Sequence, residues 1–248
     1  MNSSEARNPI QTTKSSVSIL ERLAEEEGAT LAELDGLVDL SKGALYNHLA
    51  TLVDLGLVVK REDRYFLSLN LLGLGEAARS SLPSMDAARL HLWDLANTTG
   101  EFAALVVLED GEAIVAETAI GHLSEQHWYH VGDHLPLHST AAGKVLLAER
   151  PEELSEKRIR ESIADDHVGV ESVVDEIDTV RVQGLAFSRG EHEEQYSVAA
   201  PVYGREGSLL YVITLVGPES RMSGKSLQQD FAGLVVSTAT EIRKRLLQ

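Results

Sequence analysis

Four side chains close together, Ser41, Lys42, Tyr46 and Asn47, carry groups suited to gripping a nucleic acid. Asparagine matches the paired donor and acceptor that adenine presents in the major groove, and tyrosine can reach a base edge from the same surface. A serine and a lysine at the start of a helix, next to its free backbone N–H groups, suit a phosphate. Thr30, Gly43 and His48 complete the candidate face, and Lys60, Arg61 and Arg64 add three cations a little further on.

Those residues must be held by two short helices, a tight turn and a hairpin, and the stretch from Thr30 to Leu67 has that pattern. Thr30 followed by Glu33 forms a capping box at the first helix, and Leu31, Leu34 and Leu37 are its expected buried stripe. Ser41 is the expected N-cap of a second helix running to about Leu55, on which Leu45, Leu49, Leu52 and Val53 share one face. At about 100° per residue the opposite face carries Gly43, Tyr46, Asn47 and Ala50, and no acid until Asp54. This second helix has Ala44 where a capping box would place a carboxylate, so nothing there repels phosphates. Gly56 ends it, and Val58–Arg61 and Arg64–Leu67 form a two-stranded ribbon around Glu62-Asp63. A winged helix-turn-helix that reads double-stranded DNA is the expectation. A trihelical protein-interaction module is the alternative.

The chain of 248 residues has room for two modest domains, and 43% hydrophobic residues suffice for their cores. It lacks cysteine, which excludes disulfides, thiolate catalysis and cysteine-ligated zinc. No apolar run approaches the roughly 20 residues needed to cross a bilayer, and MNSSEARNPI lacks a signal core, so a cytoplasmic protein without membrane contact is expected. The net charge is −17. Residues 1–75 carry 7 Lys+Arg against 11 Asp+Glu, or −4, so even the reading head is not basic. Its few cations must therefore be well placed. Acid excess with only 7 lysines among 22 cations resembles the proteins of salt-loving organisms, although an ordinary acidic regulator has the same balance.

Residues 1–13 read as a loose arm, and Val17 to Glu27 as the head's first helix, with Ile19, Leu20, Leu23 and Ala24 facing inward. Beyond the wing come a helix from Leu69 to Ser80 and a second from Met85 to Asn97, capped by Pro83-Ser84, with Ala88, Leu92, Leu95 and Ala96 at helical spacing. Helices between a DNA head and a second domain suit homodimer contacts, since two-fold operators are read by two heads; a plain linker is the alternative. The expected division is a head over 1–68, linker and dimer helices over 69–99, and an α/β domain over 100–248. In the last, Phe102–Leu108 and Ala113–Thr118 flank the turn Glu109-Asp110-Gly111, and His127–Val131 is a third strand. Helices follow over Thr140–Arg150, from Pro151 to before Asp165, and over Ser172–Gln183. Strands Leu185–Ser188, Ser197–Tyr203 and Leu209–Val216 come next, and a helix from Lys225 to Leu247 closes the pattern. The fold class is α+β, with a mostly antiparallel sheet suited to a small-molecule pocket.

Three stretches resemble the IclR family of transcriptional regulators. They are the head, from SVSILERLAEEEG to LVDLGLV; LPLHSTAAGKVLLAE at 135–149, the most specific; and GLAFSRGEHEEQYSVAAPVYGREGSLLYVITLVGP at 184–218. The similarity covers nearly the whole chain. It implies a GAF-like second domain that binds a small effector, and a dimer or a dimer of dimers, so a tetramer; the acidic composition suggests a haloarchaeal-like member. It also implies effector contacts at Thr140, Ala141, Ala142, Ser188, Ser197 and Thr214. Helix-start N–H groups beside small side chains fit that role for a carboxylate or hydroxyl-rich ligand. Ser188 stands where members often have an acid, and Val216 where they often have a second serine, which points to a sugar or sugar acid over a short keto acid. Ala141-Ala142-Gly143 also suits close helix–sheet packing.

Five histidines, His122, His127, His130, His134 and His138, crowd one segment near Glu125 and Asp133, but Gly132 and Pro136 break the helix that their spacing would need, so no metal is expected. Glu191-His192-Glu193-Glu194 reads as a loop near the pocket mouth. Ser139 has no nucleophile elbow, and no phosphate loop or dinucleotide fingerprint is present, so neither catalytic residues nor a cofactor are expected. The expected function is metabolite-gated transcription control of catabolic genes; a constitutive DNA-binding protein whose second domain only dimerises is the alternative.

Overall fold

The computed structural model describes residues 9–151, 155, 157, 159–160, 169–190 and 195–247. The chain forms two compact units, Met1–Leu82 and Pro83–Gln248.

In the first unit, helix α1 (Gln11–Glu25) precedes a short strand β1 (Ala29–Thr30), helix α2 (Leu31–Asp35), helix α3 (Lys42–Asp54), the strands β2 (Val58–Arg61) and β3 (Arg64–Leu67), and helix α4 (Asn70–Ser80). Ile19, Leu23, Leu34, Leu45, Leu49, Leu52, Val58 and Tyr65 make its core. At about 1.5–3 kcal/mol for each fully buried large side chain, this small cluster holds the head together. The Val58–Arg61 ribbon pairs with Arg64–Leu67 as expected, and β1 adds a third strand to β3 that the pattern did not reveal. Gly28 makes this entry possible: its φ is +102°, and an added Cβ would fall 2.3 Å from the Phe66 ring.

Several expectations need correction. Helix α1 begins at Gln11, so the last residues of the expected loose arm are helical. Helix α2 stops at Asp35, which leaves Leu37 beyond its end and exposed. Ala24 and Val53 also face solvent, each at the margin of its helix's apolar arc. No side chain of α4 is buried. Leu69, just before it, and Leu72 and Leu74 on it are largely exposed.

The second unit opens with α5 (Met85–Thr99), whose Ala88, Leu92, Leu95 and Ala96 are buried at the expected spacing. Ser84 is its N-cap as expected, but it stands in the left-handed region and its side chain makes no capping bond. Strands β4 (Phe102–Glu109) and β5 (Glu112–Ile120) meet at Asp110-Gly111, both at positive φ, the conformation that a two-residue hairpin turn requires. After β6 (His134–Leu135), α6 (Ala141–Ala148) and α7 (Val170–Gln183) come β7 (Ala186–Arg189), β8 (Gln195–Tyr203) and β9 (Leu209–Pro218). The C-terminal helix starts as a π-helical segment, Ser226–Phe231, before α8 (Ala232–Leu246).

The sheet order is β6-β5-β4-β9-β8-β7, with every neighbouring pair antiparallel. Alternation sends Phe102, Ala104, Val106, Ala199, Val212 and Val216 into one core with α6 and α7. The other face takes α5 and α8. The stretch expected as a strand over His127–Val131 is irregular, and its place beside β5 is taken by the segment after it. Gly132 N–H donates to Val115 O, Val115 N–H to Asp133 O, and His134 and Leu135 pair with β5. The helix expected after Pro151 lies largely outside the described residues, as does the Glu191–Glu194 loop.

Candidate functional site

Helix α3 exposes the face expected to meet DNA. Ser41 caps it by accepting from Ala44 N–H at 3.3 Å. Lys42, Gly43, Tyr46, Asn47 and Ala50 are all exposed, Tyr46 by 57%, and no acid stands in the first turn. His48 is half-buried and its Nδ1 bonds the Ser16 hydroxyl at 2.8 Å, so it joins α3 to α1. Thr30 caps α2: its hydroxyl accepts from Glu33 N–H while its own N–H donates to Glu33 Oε2 at 2.7 Å. The Thr30 backbone N–H, helped by its hydroxyl, holds the Glu33 carboxyl below its usual pKa.

The wing cations divide. The Lys60 ammonium lies over the Tyr65 ring at 5.2 Å and the Arg61 guanidinium over Phe66 at 5.3 Å, so each charge rests on an aromatic face and has no carboxylate partner among the described residues. Arg64 instead donates to Gly28 O at 2.5 Å and pairs with Glu33 at 3.2 Å, bracing the wing against α2.

The second site gathers at the start of α6. Thr140 is its N-cap, with a hydroxyl that donates to Pro136 O at 2.7 Å and accepts from Gly143 N–H at 3.0 Å. Gly143 lets the helix sit against the preceding chain, since a Cβ there would meet Leu137 Cα, Leu137 O and Pro136 O, all at 2.5 Å. The Ala141 and Ala142 N–H groups, buried in the first turn, have no hydrogen-bond partner among the described residues. Ser188 donates to Ser139 O at 2.9 Å, which ties β7 to the entry of α6. Ser197 stands directly opposite Ser188, and Val216 opposite Ser197. Thr214 lies two residues from Val216 on the same face and donates to Val198 O at 3.3 Å. The helix start and the Ser188–Ser197 pair are thus brought together, with Thr214 just beside them.

Ser197 differs from the other hydroxyls here. It is 2% exposed, and among the described residues it has no hydrogen-bond partner. Its oxygen is not among the fully enclosed side-chain atoms left without a partner, so the hydroxyl keeps contact with solvent and is free to turn to a ligand's polar group.

Two residues of this wall escaped sequence reasoning. Tyr129, buried on the irregular segment, donates its hydroxyl to the Gln195 side chain and meets the Phe102 ring edge-on at 5.9 Å. Gln195 lies two residues before Ser197 on the same face of β8. Only the buried-aromatic character of the Trp128-Tyr129 pair hinted at this.

Behind α6, Lys144 is 1% exposed; its ammonium reaches Glu176 at 2.9 Å and Phe187 O at 3.1 Å, joining α6, α7 and β7. The histidines disperse. His134 bonds Glu112 at 2.5 Å, His127 stacks on His130, and no group of three or more His, Asp or Glu among the described residues could hold a metal. Nor is any described helix long and apolar enough to cross a membrane.

A helix-turn-helix followed by a two-stranded wing, joined to a second unit built on a six-stranded antiparallel sheet, defines a transcription regulator of the winged-helix class. Residues 77–244 match the family described as bacterial transcriptional regulator IclR C-terminal, and residues 13–61 match a helix-turn-helix domain. The chain belongs to the IclR family of transcriptional regulators, which are not enzymes. It is 30% identical to a "probable HTH-type transcriptional regulator ArcR" of Halobacterium salinarum, over 96% of this chain and 94% of that one. Its fold resembles that of the Thermotoga maritima IclR, with TM-score 0.78 at 21% identity, covering 95% of this chain and 98% of the other. It also resembles an IclR homologue from Microbacterium hydrocarbonoxydans complexed with 4-hydroxybenzoate, with TM-score 0.75 at 18% identity over 94% and 99% of the two chains.

Proposed function

We propose that this regulator controls catabolic genes in response to a small organic acid or sugar acid held at the start of α6. The observation that carries the proposal is the pair of open Ala141 and Ala142 amides in the first turn of α6, with the Ser197 hydroxyl, which has no hydrogen-bond partner among the described residues, on the strand nearby. Two amides at a helix N-terminus favour a carboxylate, and Ser197 adds a donor for a second oxygen. Phe102, Val216 and Tyr129, packed in the core next to these groups, would be the apolar neighbours of the ligand's body. The 4-hydroxybenzoate bound by a protein of this fold is a small carboxylate.

Tyr46 and Asn47 read base edges, while Ser41, Lys42, Lys60 and Arg61 hold phosphates. Two copies pair through residues 69–97, where Leu69, Leu72, Leu74, Leu90 and Trp93 are exposed, and a pair of dimers gives a tetramer. The effector acts by binding two arrangements of the heads unequally.

The test is binding of the purified protein to its own upstream region across salt, with and without a panel of sugars, sugar acids, keto acids and aromatic acids. A compound that shifts affinity tenfold, about 1.4 kcal/mol of coupling, establishes gating. Replacement of Ser197 by alanine should abolish that shift and leave ligand-free DNA binding intact. Indifference to every acid in the panel would refute the proposed effector class.

A further inference from the structure

In the acidic head, the described cations fall into two groups. Arg22, Arg64 and Arg79 are paired with Glu25, Glu33 and Glu76. Lys14, Lys42, Lys60 and Arg61 have no carboxylate partner among the described residues. Three of these four already belong to the DNA face. Lys14 is the fourth, and it lies on α1, outside every residue considered so far.

Lys14 lines a groove of about 190 Å³ with Gln11, Ser15 and Ser18 on one wall and Val38, Asp39 and Leu40 on the other. Leu40 immediately precedes Ser41, the N-cap of α3, so the groove opens beside the helix start that offers its N–H groups to a phosphate. The Ser16–His48 bond fixes this stretch of α1 against α3. The volume suits one phosphate with a few waters, since a water occupies about 30 Å³ of liquid. An ammonium, two hydroxyls and an amide are the donors that a phosphodiester takes.

We propose that Lys14, Ser15 and Ser18 form an additional phosphate clamp that grips the DNA backbone beside the start of α3. Asp39 on the facing wall makes no ion pair with Lys14, yet it balances the lysine's charge. Its carboxylate also opposes a phosphate in the groove, so neutralising it should tighten binding. The inference rests on the reading of α3 as the DNA-contacting helix.

The test compares the wild type with K14Q, K14R and D39N on a duplex of the chain's own upstream region and on a scrambled duplex, across salt. Loss of one phosphate contact reduces the slope of log K against log salt by about 0.9, which corresponds to roughly fourfold weaker binding at about 0.2 M salt. K14Q should show both effects equally on the two duplexes, K14R should retain wild-type slope and affinity, and D39N should bind more tightly. Melting temperatures should stay level, because Lys14 is exposed. A K14Q slope equal to the wild type's, or a loss confined to one duplex, overturns the clamp while leaving DNA binding intact. A wild type that binds neither duplex overturns the DNA-binding reading and the clamp together.

Discussion

Replacing Gly143 with alanine should separate helix propensity from packing at the effector site. By propensity alone the change would strengthen α6 by about 1 kcal/mol. The structure predicts the opposite sign. The new Cβ meets three backbone atoms of Pro136 and Leu137 at 2.5 Å, where carbon contacts normally lie near 3.5–4.0 Å. Backbone cannot rotate away as a side chain can, so α6 must move outward by about 1 Å. Overpacking of this kind costs about 1–3 kcal/mol, and a clash with three backbone atoms belongs at the upper end. For a unit of this size about 3 kcal/mol lowers the melting temperature by roughly 6–12 °C. The same shift carries the Ala141 and Ala142 amides away from Ser197, so the response to an effector should fall with stability. Calorimetry should show the second unit melting earlier and the head unchanged, and DNA binding without ligand should persist. A melting temperature within about 1 °C of wild type would refute the reasoning, because α6 would then have slack against the chain before it.

Other perturbations have signs fixed by geometry. Replacing Glu176 with glutamine takes a carboxylate from the buried Lys144 ammonium, which keeps its bond to Phe187 O, and should cost more than replacing Lys144 with methionine, which leaves a half-exposed carboxylate free to hydrate; urea unfolding of both variants ranks them. Glu33 has its pKa held down by Thr30, so its contribution to head stability is present at neutral pH and lost as pH falls through that lowered value. Thermal melts should therefore show the gap between wild type and E33Q narrowing in acid. Replacing Arg64 with glutamine should lower the head's melting temperature through the lost Gly28 and Glu33 bonds, whereas the same change at Lys60 should weaken DNA binding with a smaller loss of stability, about 0.5–1 kcal/mol from its contact with Tyr65.

The sequence revealed what depends on neighbours along the chain and hid what depends on residues far away. The Thr30–Glu33 box, the Ser41 cap and the Val58–Leu67 ribbon are local motifs, and each stands where its spacing placed it. Arg64 shares a wing with Lys60 and Arg61, and nothing in the linear pattern shows that Glu33 and Gly28 engage it. Tyr129 falls in the stretch expected as a strand over His127–Val131, and its partner, Gln195, is 66 positions away. Leu37 and Val53 continued an apolar spacing past the point where the helix ended or its arc turned to solvent. The start of α6 was legible because Thr140 and the small residues after it declare a helix held close to its support. The singular state of Ser197 depends on three strands in register, which no spacing displays.

The order of strands in the second unit sets the order in which this protein can be made. The head's sheet joins segments that leave the ribosome close together, from Ala29 to Leu67. The central strand β4, by contrast, takes its inner partner from the far end of the chain, with Phe102 opposite Val216. Closing so long a loop is slow. A nascent chain therefore presents a folded DNA-reading head while the apolar run from Phe102 to Val107 still waits with one edge open. Destabilising changes in β9 should accordingly show as aggregation during synthesis more than as altered behaviour of the finished protein.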